Sequence, residues 1–438
     1  MFDEIQLLKF EEIMKHTLVI GCIADDFTGA SDAASFLQMG GLKTILFNGT
    51  PRIKEIINSH CNAVVIALKT RSIKTDSAVK QSLHAITVLK DAGAAQLFIK
   101  YCSTFDSTPQ GNIGPVVDAV MEAMNIPHTI ICPALPTNKR IVKNGILYVD
   151  GIPLSESHMA YHPLNPMWNS DVGKLIEDQG KYHSLKITRE TYYRDNSSTI
   201  ISKMIENFNK GKNHFYIIPD YTDENDCIKI VDLFGNLKLL TGSSGLMTEL
   251  AKRYNGNGLV HGTYTGVKGK ALLLSGSCSK MTFTQVEMFK RTGKPTYSIN
   301  PLDILRGKLS IDDIWDDIKN QNDDVLVYTI GVDPDIRKLQ RANQNEISAL
   351  LENIMGNLAS RAMLAGFTRI IVAGGETSGA VIQSLGFGSY MIGPAVAPGI
   401  PVMTPAENRS IRIVLKSGNF GQPDFFQKAL MTTKGILL

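Results

Sequence analysis

Tryptophan occurs only twice in the 438 residues, and no uninterrupted apolar run approaches the roughly 20 residues that a membrane-spanning helix needs. A helical membrane protein is thereby excluded. An excess of one charge sign is missing too. The 45 Lys and Arg stand against 42 Asp and Glu, which gives no reason to expect a nucleic acid or an anionic membrane as partner. The six cysteines (Cys22, Cys61, Cys102, Cys132, Cys227 and Cys278) are scattered, without a CxxC pair. Several lie in or beside apolar strand-like runs, where Cys behaves as a small buried hydrophobe. Met1 to Lys15 lacks the continuous apolar segment and small-residue cleavage site of a secretory signal. Together these point to a reducing cytosol. No G-x-x-x-x-G-K-[ST] sequence occurs, so no Walker-type nucleotide site is expected. Nor does a G-x-G-x-x-G open a first βαβ unit, which weakens a dehydrogenase reading.

What is present is ordinary globular composition, 43% hydrophobic and 20% charged, in a chain too long for one compact core. Short β-branched runs alternate with helical patterns. Strands are expected at Thr17 to Ile23, Ala63 to Leu68, Gln96 to Tyr101, Thr129 to Cys132, Phe215 to Ile218 and Leu237 to Leu240. Later ones are expected at Ala271 to Leu274, Val325 to Tyr328, Arg369 to Ala373 and Ile411 to Leu415. Helices are expected at Ala30 to Met39, Ser77 to Ala92, Gly114 to Met124, Met281 to Lys290, Glu346 to Ala365 and Phe425 to Met431. This alternation predicts an α/β protein with largely parallel sheets flanked by helices. Gly and small polar residues interrupt the pattern at Asn255 to Lys270. The organisation expected is an N-terminal extension (1–16), a domain over 17–255, a linker (256–270) and a second domain over 271–438. Asn165 to Arg194 reads as a polar, irregular flap or inserted loop.

Chemistry-bearing residues gather after the strands. Asp25 and Asp26 follow the first one and open a helix. At the carboxyl end of a strand in an open sheet they are placed to orient a polyol or take a proton from a hydroxyl; the plainer alternative is that one caps the helix. Lys69 and Arg71 follow the AVVIAL strand, and Lys100 ends another, ahead of Ser103 and Thr104. These cations and hydroxyls suit an anionic, hydroxylated small molecule, against the alternative of a snorkelling Lys and a Ser/Thr turn. His158 and His162 have i, i+4 spacing, but Pro163 and Pro166 argue against a helix and hence against a metal there. The second half carries glycine turns at Leu274-Ser275-Gly276-Ser277-Cys278-Ser279, at Ala373-Gly374-Gly375-Glu376-Thr377-Ser378-Gly379 and at Lys416-Ser417-Gly418-Asn419-Phe420-Gly421. Glycine lets backbone amides approach phosphate closely, and a helix N-terminus adds favourable partial charge. One such turn is weak evidence; three are stronger.

The segments IADDFTGASDAASFL, KYCSTFDSTPQGNIGPV, CPALPTNKR, LSESHMAYHPLNPM, LSGSCS, GGETSGAV and LKSGNFG together resemble the four-carbon acid sugar kinase family, from about Thr17 to the C-terminus. KYCSTFDSTPQGNIG and LKSGNFG look like its 3-oxo-tetronate kinase branch. Cys102 stands where the threonate and erythronate kinases typically carry Asp. The resemblance implies ATP-dependent phosphorylation, with Mg²⁺, of the 4-hydroxyl of a 3-oxo-tetronate, in a cleft between a sugar-acid-binding and a nucleotide-binding domain. It places Ser275, Ser277, Gly374, Gly375, Glu376, Thr377 and Gly418 at ATP, and Lys69, Arg71, Lys100, Ser103 and Thr104 at the acid. Asp26, or failing that Asp25, would orient or deprotonate the attacking hydroxyl, with Lys100 and Arg71 on the substrate carboxylate. The alternatives are a D-threonate or D-erythronate kinase and a non-catalytic sugar-acid sensor. The sequence leaves homo-oligomerisation and the Mg²⁺ ligands open.

Overall fold

The computed structural model describes residues 18–161, 165–255, 264–277, 279–329 and 344–436. The N-terminal extension, His162, Cys278 and most of the expected linker lie outside these. The chain divides into two compact units, Met1–His261 and Gly262–Leu438. No helix among the described residues is long and apolar enough to cross a membrane.

The strands of the first unit are β1 (Ile20–Ala24), β2 (Thr44–Asn48), β3 (Ala63–Ala67), β4 (Gln96–Lys100), β5 (His128–Cys132), β6 (Arg140–Lys143), β7 (Ile146–Val149), β8 (Ile152–Pro153), β9 (Ser184–Ile187), β10 (Phe215–Pro219) and β11 (Leu239–Gly242). Its main sheet runs β2-β3-β1-β4-β11-β5-β10-β9, parallel throughout. Strands β1, β3 and β4 are buried along their whole length, as strands covered on both faces must be. The order changes direction at β1, with β2 and β3 on one side and β4 on the other. In open α/β sheets such a switch point is where loops part and ligands bind.

A small antiparallel sheet, β6-β7-β8, sits beside this layer. Its turns are Asn144-Gly145 and Asp150-Gly151, all four residues at positive φ, the backbone that tight hairpins of the right twist require. Asp220 holds the first turn by accepting the amides of Asn144 and Gly145 at 2.8 and 2.9 Å. The stretch Asn165 to Arg194 is not irregular, contrary to its polar composition. It forms helix Val172–Glu177, strand β9 and the short helix Arg189–Tyr192. Asp171 caps the first of these, and burial of Val172, Leu175 and Ile176 holds it down.

The second unit contains β12 (Ala271–Ser275), β13 (Thr296–Ile299), β14 (Val325–Thr329), β15 (Arg369–Ala373), β16 (Ser389–Ala397), β17 (Ile400–Pro405) and β18 (Arg412–Lys416), ordered β13-β14-β12-β15-β18-β17-β16. The pairs from β13 to β18 are parallel, whereas β17 and β16 add an antiparallel ribbon. A continuous core links Leu273, Ile371 and Val414 of the sheet with Phe289, Phe425 and Phe426 of the helices. Residues 264–270, counted in the sequence with the linker, pack on this unit. Tyr264 Oη donates to the Thr432 carbonyl at 3.0 Å, and the buried Arg369 guanidinium donates to the Gly269 carbonyl and to Asp324, both at 2.6 Å.

Candidate active site

Three parallel strands of the first unit, β3, β1 and β4, end side by side, and their following residues form one charged cluster. Asp25 continues the β1 end; its amide donates to the Lys100 carbonyl, and its own carbonyl accepts the Thr70 amide. Asp26 is the N-cap of helix Phe27–Met39, one carboxylate oxygen accepting the Gly29 amide. The capping alternative therefore holds, but it uses only one oxygen. The other pairs with Arg71, whose guanidinium also grips Asp25 in a two-pronged contact, Nε to Oδ2 and Nη2 to Oδ1, both at 2.9 Å. Such planar forked pairing is the strong geometry for Arg with carboxylate. Asp106 lies 3.6 Å from Nη1 on the third side and accepts Asn165 Nδ2 at 2.8 Å.

Lys100 faces the first turn of the same helix. A side chain at Gly29 would meet Asp26 Oδ1 at 2.8 Å and Lys100 Nζ at 3.3 Å, so glycine is what lets the ammonium approach. Its partner is Asp32, one turn further along, at 3.6 Å, and Ser244 Oγ donates to the same Asp32 oxygen at 2.6 Å. Burial opposes charge on Lys100, but Asp32, Asp25 and Asp26 outweigh it and raise the ammonium above its ordinary value. Burial pushes the Asp32 carboxyl up despite Lys100 and Ser244. For Asp26 burial pulls upward as well, yet Arg71, Lys100 and the Gly29 amide prevail and hold it below the usual carboxylate range.

The residues expected at the sugar acid thus fall into three groups. Asp25, Asp26, Arg71 and Lys100 are brought together, with the two cations already satisfied by four carboxylates of this chain. Lys69 is exposed beyond β3. Ser103 and Thr104 are buried in the loop after β4, Thr104 Oγ1 being 3.0 Å from Cys102 Sγ. That loop carries Phe105 at φ +47, fully buried with its ring edge-on to Tyr101 at 5.6 Å. A bulky residue in the left-handed region is a strained position that surrounding packing must enforce. Between the strand ends a recess opens, lined by Asp25, Arg71, Lys100, Tyr101, Ser107 and Asn112 and backed by apolar side chains. Asp32, Asp106 and Ser244 were not singled out from sequence. Asp32 reads there as an ordinary polar helix position, and Ser244 lies 212 residues from its partner.

In the second unit the three glycine turns follow β12, β15 and β18, which are adjacent and in register at Ser275, Ala373 and Lys416. The turns interlock. A Cβ at Gly276 would lie 2.2 Å from Thr377 Oγ1, and one at Gly418 would lie 2.8 Å from Ser277 Oγ. Gly374 has φ +129, a backbone other residues rarely adopt. Packing alone therefore explains these three glycines. Gly375 differs: it is exposed at the start of helix Gly375–Leu385, with nothing within 4 Å of where a Cβ would be. Open space over a helix N-terminus is where an anion is received. Ser275 and Thr377 are buried beside it, Ser277 is half-buried, and Glu376 is exposed in the first turn. Among the described residues no group of three or more His, Cys, Asp or Glu could hold a metal ion.

Two family models divide the chain between them: a sugar-binding N-terminal domain over residues 20–250 and a nucleotide-binding C-terminal domain over 272–426. The 3-oxo-tetronate kinase of Actinobacillus succinogenes is 39% identical over 419 residues, covering 94% of this chain and 99% of that protein. That of Haemophilus influenzae is 38% identical over 418 residues, with the same coverage. The chain belongs to the four-carbon acid sugar kinase family. Every family residue expected from sequence lies within one of the two matched spans, acid-side residues in the first and ATP-side residues in the second. Among solved structures, a Salmonella typhimurium protein described as a tRNA synthase superposes with a TM-score of 0.82 at 37% identity, over 94% of this chain and 99% of that one. Haemophilus influenzae protein HI1011 gives 0.75 at 37% identity, over 94% and 100%.

Proposed function

We propose that the chain is a cytosolic, ATP-dependent kinase that phosphorylates the 4-hydroxyl of 3-oxo-tetronate to 3-oxo-tetronate 4-phosphate in acid sugar catabolism. The observation that carries this reading is the similarity, along nearly the whole length, to proteins named 3-oxo-tetronate kinase. Two features of the fold support it: a carboxylate-rich cluster at a switch point, and an open helix start among nested glycine turns.

Phosphoryl transfer needs positioning and charge neutralisation more than covalent help from the protein. In this reading Asp26 receives the attacking hydroxyl. Its side chain is 33% exposed against 14% for Asp25, so it is the carboxylate a substrate reaches first. Held below the usual range, it is a weak base and acts mainly by orienting the hydroxyl, accepting its proton late. Arg71 and Lys100 fix the carboxylates, which leaves Lys69, exposed two residues before Arg71, to meet the substrate carboxylate, with Ser103 and Thr104 shaping the loop after β4. ATP lies with its phosphates over the Gly375 amide, flanked by Ser275, Ser277, Gly374, Thr377 and Gly418. Mg²⁺ would come with the phosphates and neutralise charge on the transferred group; Glu376, in the first turn of that helix, is the candidate carboxylate to hold it.

An ADP-release assay across 3-oxo-tetronates, D-threonate and D-erythronate tests the whole reading. Turnover confined to the 3-oxo acids is expected. Faster turnover of a tetronate would make the chain a threonate or erythronate kinase, and binding without ADP would make it a sensor. The nucleotide side has its own test. Gly375→Val should raise the KM for ATP about tenfold or more with little change in Tm, because the added side chain meets only the ligand. Gly374→Ala should instead cost about 1 kcal/mol or more of stability in strain, and lower Tm with it, because its backbone has positive φ. Equal behaviour of the two would count against phosphate at Gly375.

A further inference from the structure

Three donors from separate places converge on one backbone oxygen in the second unit. The Gly418 carbonyl accepts Ser279 Oγ at 2.6 Å, Thr282 Oγ1 at 2.7 Å and Lys416 Nζ at 2.8 Å. Ser279 is also the N-cap of helix Lys280–Lys290, so the same hydroxyl ties the helix start to the turn. Lys416 closes the knot, donating in addition to Thr282 Oγ1 at 2.8 Å and to the Ser417 carbonyl at 3.2 Å. Its side chain is completely buried, with the Phe425 ring 5.8 Å from Nζ. Burial shifts it down to about 7, with no carboxylate among the described residues contributing.

An ammonium buried without a carboxylate is a costly arrangement. Holding the strand end together does not require it, since an apolar side chain of the same length would pack there. What the ammonium does is set a peptide. Carbonyl and N–H point in opposite directions across a trans peptide plane. Drawing the Gly418 oxygen into the knot therefore aims the Asn419 N–H away from it, out from the turn. Without the knot, a Ser-Gly-Asn turn is free to flip that peptide and present an oxygen instead, which would repel phosphate.

We infer that Lys416 is a positioning residue for the nucleotide, locking the 418–419 peptide so that its N–H faces the phosphates. The inference rests on the reading that the glycine turns receive ATP. Its test compares wild-type protein with Lys416→Met, Lys416→Arg and Thr282→Val in titrations with MgATP, steady-state kinetics and thermal melts. Lys416→Met should raise the Kd and KM for ATP about tenfold, leave the KM for the sugar acid within about twofold, and leave Tm unchanged or higher, since an uncompensated charge has been removed. Thr282→Val, which keeps the lysine but deletes one donor to the carbonyl, should move ATP affinity the same way. Lys416→Arg should restore part of it. A folded Lys416→Met protein with wild-type ATP affinity overturns the inference; should that variant fail to fold, unchanged ATP affinity in Thr282→Val does so. If wild-type protein itself binds no MgATP, the functional reading falls, and this inference with it.

Discussion

Asp26→Asn is expected to lower kcat by about 10²–10⁴-fold, the range for loss of a positioned acid–base group, with a smaller loss of Tm from the Arg71 pairing it gives up. The helix cap itself is kept, because Asn caps about as well as Asp. The Gly29 amide keeps an acceptor at position 26, and Arg71 keeps its forked grip on Asp25. What disappears is the charged oxygen that pairs with Arg71 and receives the hydroxyl. Asp25→Asn should act differently, loosening Arg71 and lowering both stability and turnover. The pH profile gives a second reading. Asp26 sits below the usual carboxylate range, so it remains ionised well into acid, and loss of its charge should contribute no fall in kcat above about pH 4. Near-normal kcat in both variants would remove this pair from the mechanism.

Lys100→Met should destabilise the first unit by about 3–5 kcal/mol, the cost of breaking a buried ion pair from one side. Lys100 and Asp32 are 4% and 9% exposed, so water cannot take over from either partner. Asp32 is already pushed up by burial. Without the lysine it rises further and takes a proton in the folded state. The variant's folded state then holds more protons than its unfolded state, so its stability falls as pH rises from about 4 toward the new folded value. The Tm deficit should accordingly be larger at pH 8 than at pH 5, and Lys100→Met with Asp32→Asn should recover part of it. A raised KM for the acid with unchanged Tm would instead make Lys100 a substrate contact.

Much of the sheet was readable because parallel strands buried on both faces are uninterrupted apolar runs: AVVIA, QLFIK and ALLLS coincide with β3, β4 and β12. Strands that depart from that pattern escaped. β16 and β17 contain Gly393, Pro394 and Pro401 in an antiparallel ribbon, and β9 lies in a polar stretch where burial comes from its partner β10. The hairpin β6-β7 was marked by Asn144-Gly145, a turn signal overlooked beside the louder motifs. At the site, the Asp-Asp pair and the glycine turns stood out by residue type. Arg71 also stood out, but its role did not: the sequence offers a cation for a ligand, whereas the fold gives it to Asp25, Asp26 and Asp106. Lys416 opens the last of those turns, but its role was hidden because a lysine at a strand end is commonplace; only its burial, a tertiary property, distinguishes it.

The placement of β11 has a consequence for biosynthesis. It fills the gap between β4 and β5, yet its approach, fixed where Gln96 Nε2 donates to the Gly235 carbonyl, comes 139 residues later. At ribosomal speeds that interval lasts on the order of ten seconds. From the time β5 emerges until β11 arrives, the polypeptide carries two exposed strand edges open to an extended partner. Overexpression, which raises the concentration of chains in this state, should therefore favour inclusion bodies, and co-expressed chaperones the native yield.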